Sequence, residues 1–265
     1  MTHSEGTLVD YTQLFQFFGR RVLVIGAGSG IGRESALALH AHGATVICAD
    51  RDAPSAAATA AQLGAGASSL QLDVLDQEAV RAVARDLADL AALVFTAATN
   101  VRKRIADYTL DEFDRVVNLN LRAAFVLIQS FAPTMAANGG GSIIGFASIR
   151  AVTVEPGQGV YAATKAGLVQ LLRTAAAEYG PAGVRVNAIS PGVVETPLTA
   201  QIKNDPEWYN AYAAKSALGR WSTPSELAGA VVYLASDASR FVTGSVLTVD
   251  GGWTAVDGRF DPPNT

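Results

Sequence analysis

Seven residues, Gly26-Ala-Gly-Ser-Gly-Ile-Gly32, restrict this chain more than any other stretch. An apolar strand, Val22 to Ile25, runs straight into them, and a helix from Ile31 to about His42 leaves them. Glycines permit a tight turn and let backbone N–H groups approach a pyrophosphate. The start of the helix adds partial positive charge. The common GxGxxG spacing is not met, because Ile31 or Arg33 stands where the third glycine would be; GxxxGxG on Gly26, Gly30 and Gly32 does fit. Gly26, Ser29, Gly30, Ile31 and Gly32 are therefore the predicted dinucleotide cradle. Asp50 closes the next strand, Ala44 to Ala49, about twenty residues further on, where a carboxylate accepts both adenosine ribose hydroxyls and repels a 2′-phosphate. Arg51 beside it could pair with that phosphate, or lie along the adenine or in water. The balance favours NAD over NADP.

The remaining pattern extends this unit. Helix Pro54–Leu63, strand Ser69–Leu72 and an amphipathic helix Asp76–Leu90 follow, with Asp76 as N-cap and Val80, Val83, Leu87 and Leu90 on its apolar face. Then come strand Ala92–Phe95, a basic loop from Thr99 to Tyr108, and a long helix Leu110–Ala137. Strand Ser142–Ala147, helix Gly159–Arg173, strand Val184–Ile189, helix Pro224–Leu234 and strand Val246–Val249 complete it. Alternating strand and helix specify a parallel sheet with helices on both faces. No linker or repeat divides the chain. The prediction is an N-terminal arm over residues 1–20, whose Phe15, Phe17 and Phe18 pack on the body. One dinucleotide-binding and catalytic domain spans 21–265, with a substrate lid at about 190–223.

Tyr161 and Lys165 lie four residues apart on one helix face. A free phenol, with pKa near 10, is a poor base at neutral pH. A nearby ammonium favours the phenolate, so the pair can exchange a proton with an alcohol. Ser148, at the end of a strand, can hold the reacting oxygen.

Composition excludes several other classes. The 265 residues carry a net charge of −4 and no basic stripe, which argues against nucleic acid. The single cysteine, Cys48, cannot form an intrachain disulfide and falls in an apolar run, as expected of an inert buried thiol in a reducing compartment. The start of the chain lacks the pattern of a secretory signal, and no uncharged apolar run is long enough to span a bilayer. A cytoplasmic protein without membrane contact is expected. His3, His40 and His42 show no ligand spacing, so no metal site is predicted.

Taken together, Gly26–Gly32, Asp50, Asp73, Asn120, Ser148, Tyr161 and Lys165 stand in an order that resembles the short-chain dehydrogenase/reductase family over essentially Phe18 to Trp253. The thirteen-residue step from Ser148 to Tyr161 and the pair Pro191-Gly192 are also similar. The resemblance implies a single Rossmann-type doubly wound parallel sheet of about seven strands. It implies Tyr161 as acid/base, Ser148 positioning the carbonyl, and Lys165 lowering the tyrosine pKa and binding the nicotinamide ribose. Asn120 would anchor a water in a proton relay. Asp73 and Val74 would contact adenine, Pro191 and Gly192 would border the cofactor, and Val193 and Thr196 would bind the carboxamide. Thr164 would face elsewhere on its helix. The resemblance also implies a homo-oligomer, tetramer or dimer, built on the long helices.

Two positions depart from the family pattern. Ile25 replaces the usual threonine before the first glycine, and Phe95-Thr96-Ala97-Ala98 replaces the NNAG stretch. In the family these elements are hydrogen-bonded to one another. Losing one partner strands a buried polar group at about 1–3 kcal/mol, whereas replacing both is nearly neutral. Ile25 and Phe95 read as a joint apolar replacement, with weaker or altered cofactor binding.

On the substrate side, Arg102, Lys103, Arg104 and Arg150 could serve an anionic or polyhydroxylated substrate, although most of them read as solvated surface charges. Arg150, two residues past Ser148, is the exception expected to meet substrate, with Gln158 and Trp208 beside it. Trp208, Tyr209 and Tyr212 fall on a short helix that either closes over the substrate or packs on the body. The sequence predicts an NAD-dependent oxidoreductase acting on a secondary alcohol or ketone of a small polar molecule (sugar, polyol or sugar acid). The alternatives are an NADP-dependent 3-oxoacyl reductase and a cofactor-binding protein without turnover.

Overall fold

The computed structural model describes residues 10–256. Residues 1–9 of the predicted arm and 257–265 of the predicted domain lie outside the described residues. Seven strands, β1 (Arg21–Ile25), β2 (Thr45–Asp50), β3 (Ala67–Gln71), β4 (Ala92–Phe95), β5 (Gly141–Phe146), β6 (Val184–Pro191) and β7 (Val246–Val249), form one sheet in the order β3-β2-β1-β4-β5-β6-β7. Every pairing is parallel. The order reverses between β1 and β4, so a crevice opens at the carboxyl ends of those two strands.

Successive strand residues face opposite layers, and both layers are apolar. Leu23 and Ile25 join Val80, Leu127, Phe131 and Leu168. Val22 and Val24 join Leu39, Leu227 and Val231 on the other side. The first layer holds α3 (Gln77–Asp86), α5 (Ala123–Ala137) and α6 (Gly159–Tyr179). The second holds α1 (Gly30–Ala41), α2 (Ala53–Leu63) and α9 (Ser225–Ala235). Burial on both faces is what makes the strands near-continuous apolar runs in the sequence.

Asp76 does cap α3, accepting from the amides of Glu78 at 3.1 Å and Ala79 at 3.0 Å, but the helix ends at Asp86 rather than Leu90. The helix expected over Leu110–Ala137 consists of α4 (Leu110–Val117), one π-helical turn at Asn118–Arg122, and α5. Among the described helices it alone is long and apolar enough to cross a bilayer, yet half of its apolar window is buried in this fold, with Val126, Leu127, Phe131 and Met135 in the core. The predicted aromatic arm is only partly right. Phe17 is fully buried with its amide on the His42 carbonyl at 2.9 Å, whereas Phe18 takes a left-handed turn (φ 51°) and stays 71 % exposed. Phe15 is exposed as well. One anchor, rather than a cluster, ties this segment down.

The long segment after β6 carries α7 (Ala200–Lys203) and α8 (Pro206–Ala213). Its aromatic residues pack on the body. Tyr209 stacks on Trp221 with ring centroids 4.9 Å apart, and Tyr212 meets the edge of Trp253 at 5.5 Å. With Ile202 they cover Ile149, the residue next to Ser148. Such pairs contribute about 0.5–1.5 kcal/mol each beyond area burial.

Candidate active site

At the end of β1 the glycine run turns as its spacing requires. Gly26 sits at φ +86°, and a Cβ on Gly32 would lie 2.0 Å from the Gly26 carbonyl oxygen, so only glycine lets α1 start this close to the strand. Gly30, at φ +52°, faces Thr196 across a gap, its built Cβ 3.6 Å from Thr196 Cγ2. Ser29 stands at the N-cap, but its side chain makes no cap bond. The first-turn amides are thus left for a ligand, and an anionic pyrophosphate fits this end of the helix in shape and charge.

The Asp50 carboxylate is pinned at the mouth of this turn. It accepts from the Gly28 amide on one oxygen and the Asp52 amide on the other, both at 3.0 Å. Gly28 is required here, since a Cβ would come within 2.9 Å of the same carboxylate oxygen. Arg51 is exposed next door, and with Gln71, Leu72 and Asp73 it lines an open depression. Asp73, expected to contact adenine, lies on the wall of this depression. The Val74 side chain does not, because it turns into the core at 6 % exposure, leaving only its backbone for such a contact.

Ile25 and Phe95 are register partners on β1 and β4, and both side chains are buried in the same apolar layer. The Phe95 ring has room because its neighbour on β5 is Gly145, where a Cβ would lie 2.7 Å from Phe95 Cζ. A polar tie between the strands nonetheless persists. Thr96 Oγ1 donates to the Ile25 carbonyl at 3.1 Å and lies directly over Gly26 and Gly32.

The Ser148–Tyr161 pair comes together where β5 ends and α6 begins. Ser148 is 8 % exposed, and its Oγ accepts from the Arg150 amide at 3.2 Å. That leaves its proton free for the Tyr161 oxygen. Burial raises the Tyr161 phenol above the ordinary tyrosine value, opposed by the Ser148 hydrogen bond and by the charges of Arg102 and Arg150. Lys165 Nζ lies 5.6 Å from the centre of the Tyr161 ring and donates to the Phe146 carbonyl at 2.6 Å. Its own burial pulls its pKa down to about 8.

Asn120 lies in the π-helical turn and is 2 % exposed. Its amide grips both backbone groups of Thr99, accepting from N–H at 2.8 Å and donating to C=O at 2.9 Å. It also donates to Thr164 Oγ1 at 3.2 Å, and Thr164 Oγ1 donates to the Tyr161 carbonyl at 2.7 Å. Thr164 therefore does not face idly away; it bolts Asn120 to the helix that carries Tyr161. Between Asn120 and Lys165 lies a cavity of about 10 Å³ whose remaining lining is apolar, Val74, Phe95, Ala97 and Phe146 among it. That is room for one water.

Arg150 and Gln158 meet at Glu155, and Trp208 packs edge-on against Tyr212, which also reaches that carboxylate. Arg150 is 8 % exposed; its guanidinium pairs with Glu155 and lies 6.0 Å from the Tyr212 ring and 5.6 Å from the Trp253 ring. Gln158 donates to Glu155 at 2.7 Å and accepts from Asn100 at 3.0 Å. The Tyr212 hydroxyl donates to Glu155 as well. Glu155 thus engages Arg150 and Gln158 and joins α8 to the body through Tyr212. Sequence reasoning missed it. Its one signal was that no other acidic residue lies between Asp114 and Glu178. Beyond β6, Gly192 packs on Asp250, while Val193 and Glu195 bond the backbone of Ser222. This holds Val193 and Thr196 beside the crevice with Pro191. Among the described residues no cluster suited to a metal ion occurs.

An anion cradle at the β1 switch point and a Ser–Tyr–Lys group at the end of β5 define a dinucleotide-dependent oxidoreductase. Residues 26–254 match the family described as Enoyl-(Acyl carrier protein) reductase. The galactitol 2-dehydrogenase (L-tagatose-forming) of Cereibacter sphaeroides is 37% identical over 93% of this chain and 99% of its own length. The D-threitol dehydrogenase of Mycolicibacterium smegmatis is 37% identical over 96% of this chain and 99% of its own. A solved gluconate 5-dehydrogenase from Burkholderia cenocepacia, in complex with NADP and tartrate, superposes with a TM-score of 0.88 at 32% identity, covering 92% of this chain and 98% of that one. This chain belongs to the short-chain dehydrogenase/reductase family, whose dehydrogenases and reductases act on CH–OH groups with NAD(P).

Proposed function

We propose that this chain is an NAD-dependent oxidoreductase interconverting a secondary alcohol and a ketone in a small polar substrate (a sugar, polyol or sugar acid). The observation that carries this reading is the Tyr161 phenol against Ser148, with Lys165 one turn on, at the same sheet edge as the uncapped glycine turn. The dinucleotide, when bound, supplies the hydride acceptor or donor. The Gly30–Gly32 amides hold its pyrophosphate, Asp50 its adenosine ribose, and the Asp73 side chain and Val74 backbone its adenine. Pro191 to Thr196 borders the carboxamide. In the reduction direction the Tyr161 phenol gives its proton to the carbonyl oxygen that Ser148 holds; oxidation is the reverse transfer, with the phenolate taking the hydroxyl proton. Lys165 grips the nicotinamide ribose, and the water-sized cavity beside Asn120 gives the proton its way out. The relatives named above act on neutral polyols and a sugar acid, which supports a polar substrate.

NADP use is the second reading. It is favoured by exposed Arg51 beside Asp50 and by the NADP complex of the gluconate 5-dehydrogenase. The test is a spectrophotometric screen of NADH and NADPH formation against polyols, sugar acids, hydroxy acids and 3-hydroxyacyl esters. NADH formation with polyols or sugar acids is the expected result. Activity confined to 3-hydroxyacyl esters with NADP would overturn the reading.

A further inference from the structure

Glu155 stands between β5 and α6, seven residues after Ser148 and six before Tyr161. Its carboxylate accepts from three buried side chains: Arg150, Gln158 at 2.7 Å and the Tyr212 hydroxyl. Each donor leads to a different part of the site. Arg150 holds Ser148, because its amide donates to Ser148 Oγ. Gln158 is the N-cap of α6, the helix that carries Tyr161, and its own amide donates to the Glu155 carbonyl at 3.1 Å. A carboxylate only accepts, so it draws the Gln158 amide nitrogen toward itself and leaves the Gln158 oxygen to accept from Asn100 at 3.0 Å, on the loop after β4. Tyr212 belongs to α8. One side chain thus links the segment that holds Ser148, the start of the helix that holds Tyr161, and α8.

Glu155 is also the anion in a group of cations. It pairs with Arg150, and Arg102 lies 3.5 Å from it. These are the two arginines whose charges act on the Tyr161 phenol. Lys165 reaches the phenol from its own helix, and Tyr212 is the titratable group that α8 brings to Glu155. The other elements packed on α6 turn their charges elsewhere. No titratable residue occurs on α5; Asp111, Asp114 and Arg115 of α4 and Arg122 of the π-helical turn are exposed; and Glu112 pairs with Lys103. Opposite charges this close act strongly on a buried proton, so the carboxylate offsets the pull of both guanidinia.

We propose that Glu155 is the positioning residue of the Ser148–Tyr161 pair: through Arg150 and Gln158 it sets the two hydroxyls against each other, and its charge offsets the arginines beside the phenol. This deepens the functional reading above and rests on it. The experiment is the pH profile of kcat for NADH formation by the NAD-loaded protein, with the polyol or sugar acid that the wild type oxidises, D-gluconate and D-glucitol tried first. In this direction the phenolate is the working form, so the rate rises with pH along a limb that belongs to the coupled Tyr161–Lys165 pair. Glu155→Gln keeps the shape of the side chain and removes its charge. Arg102 and Arg150 then favour the phenolate and the neutral lysine unopposed. The limb should move to lower pH by about half a unit or more, and the plateau kcat should fall about 10–100-fold. Glu155→Asp keeps the charge and shortens the reach, so its limb should stay within about 0.3 unit of the wild type while kcat falls at least about tenfold. Arg150→Gln should move the limb the opposite way, to higher pH. A Glu155→Gln limb that stays in place or rises, whatever its kcat, would overturn the proposal, because a merely structural role lowers the rate without moving the limb. Should Glu155→Gln not fold, Glu155→Asp decides, and a wild-type kcat in that variant would equally overturn it. A wild type that forms NADH with no alcohol contradicts the oxidoreductase reading instead. The phenolate absorbance of the NAD-loaded protein, taken against Tyr161→Phe, then still shows whether Glu155→Gln lowers the titration.

Discussion

Lys165 carries its ammonium into a site 3 % exposed, bonded to a single carbonyl, with its pKa brought down to about 8 by burial. The unfolded chain holds that proton up to about 10.4. Between those values the native state binds fewer protons than the unfolded one, so this residue's contribution to stability rises with pH from about 8 to 10.4. Below pH 8 the buried charge is a standing cost. Urea denaturation of the protein without cofactor should show that rise, and Lys165→Met should remove it. An identical pH dependence in the two proteins would contradict the burial argument. Asp50 gives the second prediction at this scale. Its carboxylate is already oriented by two amides, so Asp50→Ala should weaken NAD by about 10–100-fold while NADP is held or gained, measured by titration of each cofactor. Lys165 and Tyr161 were readable from their spacing on one helix, Asp50 and Ser148 from the strands they close, and Asn120 only through the resemblance to the family. Glu155 and the tie through Thr164 were not, because each acquires its role from partners far along the chain. For Arg150, sequence shows the charge but not Glu155, the carboxylate that pairs with it.

Among the elements, the contact of β1 with β4 departs most from the family pattern. Ile25, Phe95 and Gly145 lie side by side on three neighbouring strands, a branched chain and a ring opposite a vacancy. Phe95→Asn should destabilise the protein by about 3–5 kcal/mol, since it leaves a cavity and strands a buried amide against Ile25. Ile25→Thr with Phe95→Asn should recover about 1–3 kcal/mol of that through the restored side-chain hydrogen bond. Denaturant titration of the two single variants and the double variant measures this coupling. Strict additivity would mean that the two positions are independent replacements. The strand–helix alternation was readable because burial on both faces leaves long apolar runs. The π-helical turn at Asn118–Arg122 was not, since it leaves the 3.6-residue apolar period almost undisturbed while re-aiming Asn120.

For the whole molecule, the sheet order brings four segments to one edge: the glycine turn after β1, Thr99–Arg102 after β4, Ser148–Gln158 after β5 and Pro191–Thr196 after β6. Chemistry at that edge needs all four in register, which explains why so much of the core is devoted to strands only four to eight residues long. The opposite use of surface is seen on α4 and α5, where Leu110, Phe113 and Phe125 are exposed at 81 %, 44 % and 46 %. Apolar surface of this kind marks a contact site, and we propose that copies of this chain associate there. Light scattering should report an oligomer that Phe113→Asp with Phe125→Asp dissociates, and a wild-type monomer would contradict this. The central claim concerns one proton. In Tyr161→Phe, with the substrate that gives NADH in the wild type, kcat should fall by about 10²–10⁴-fold while cofactor affinity changes less than about threefold. Turnover kept at the wild-type rate would contradict the account.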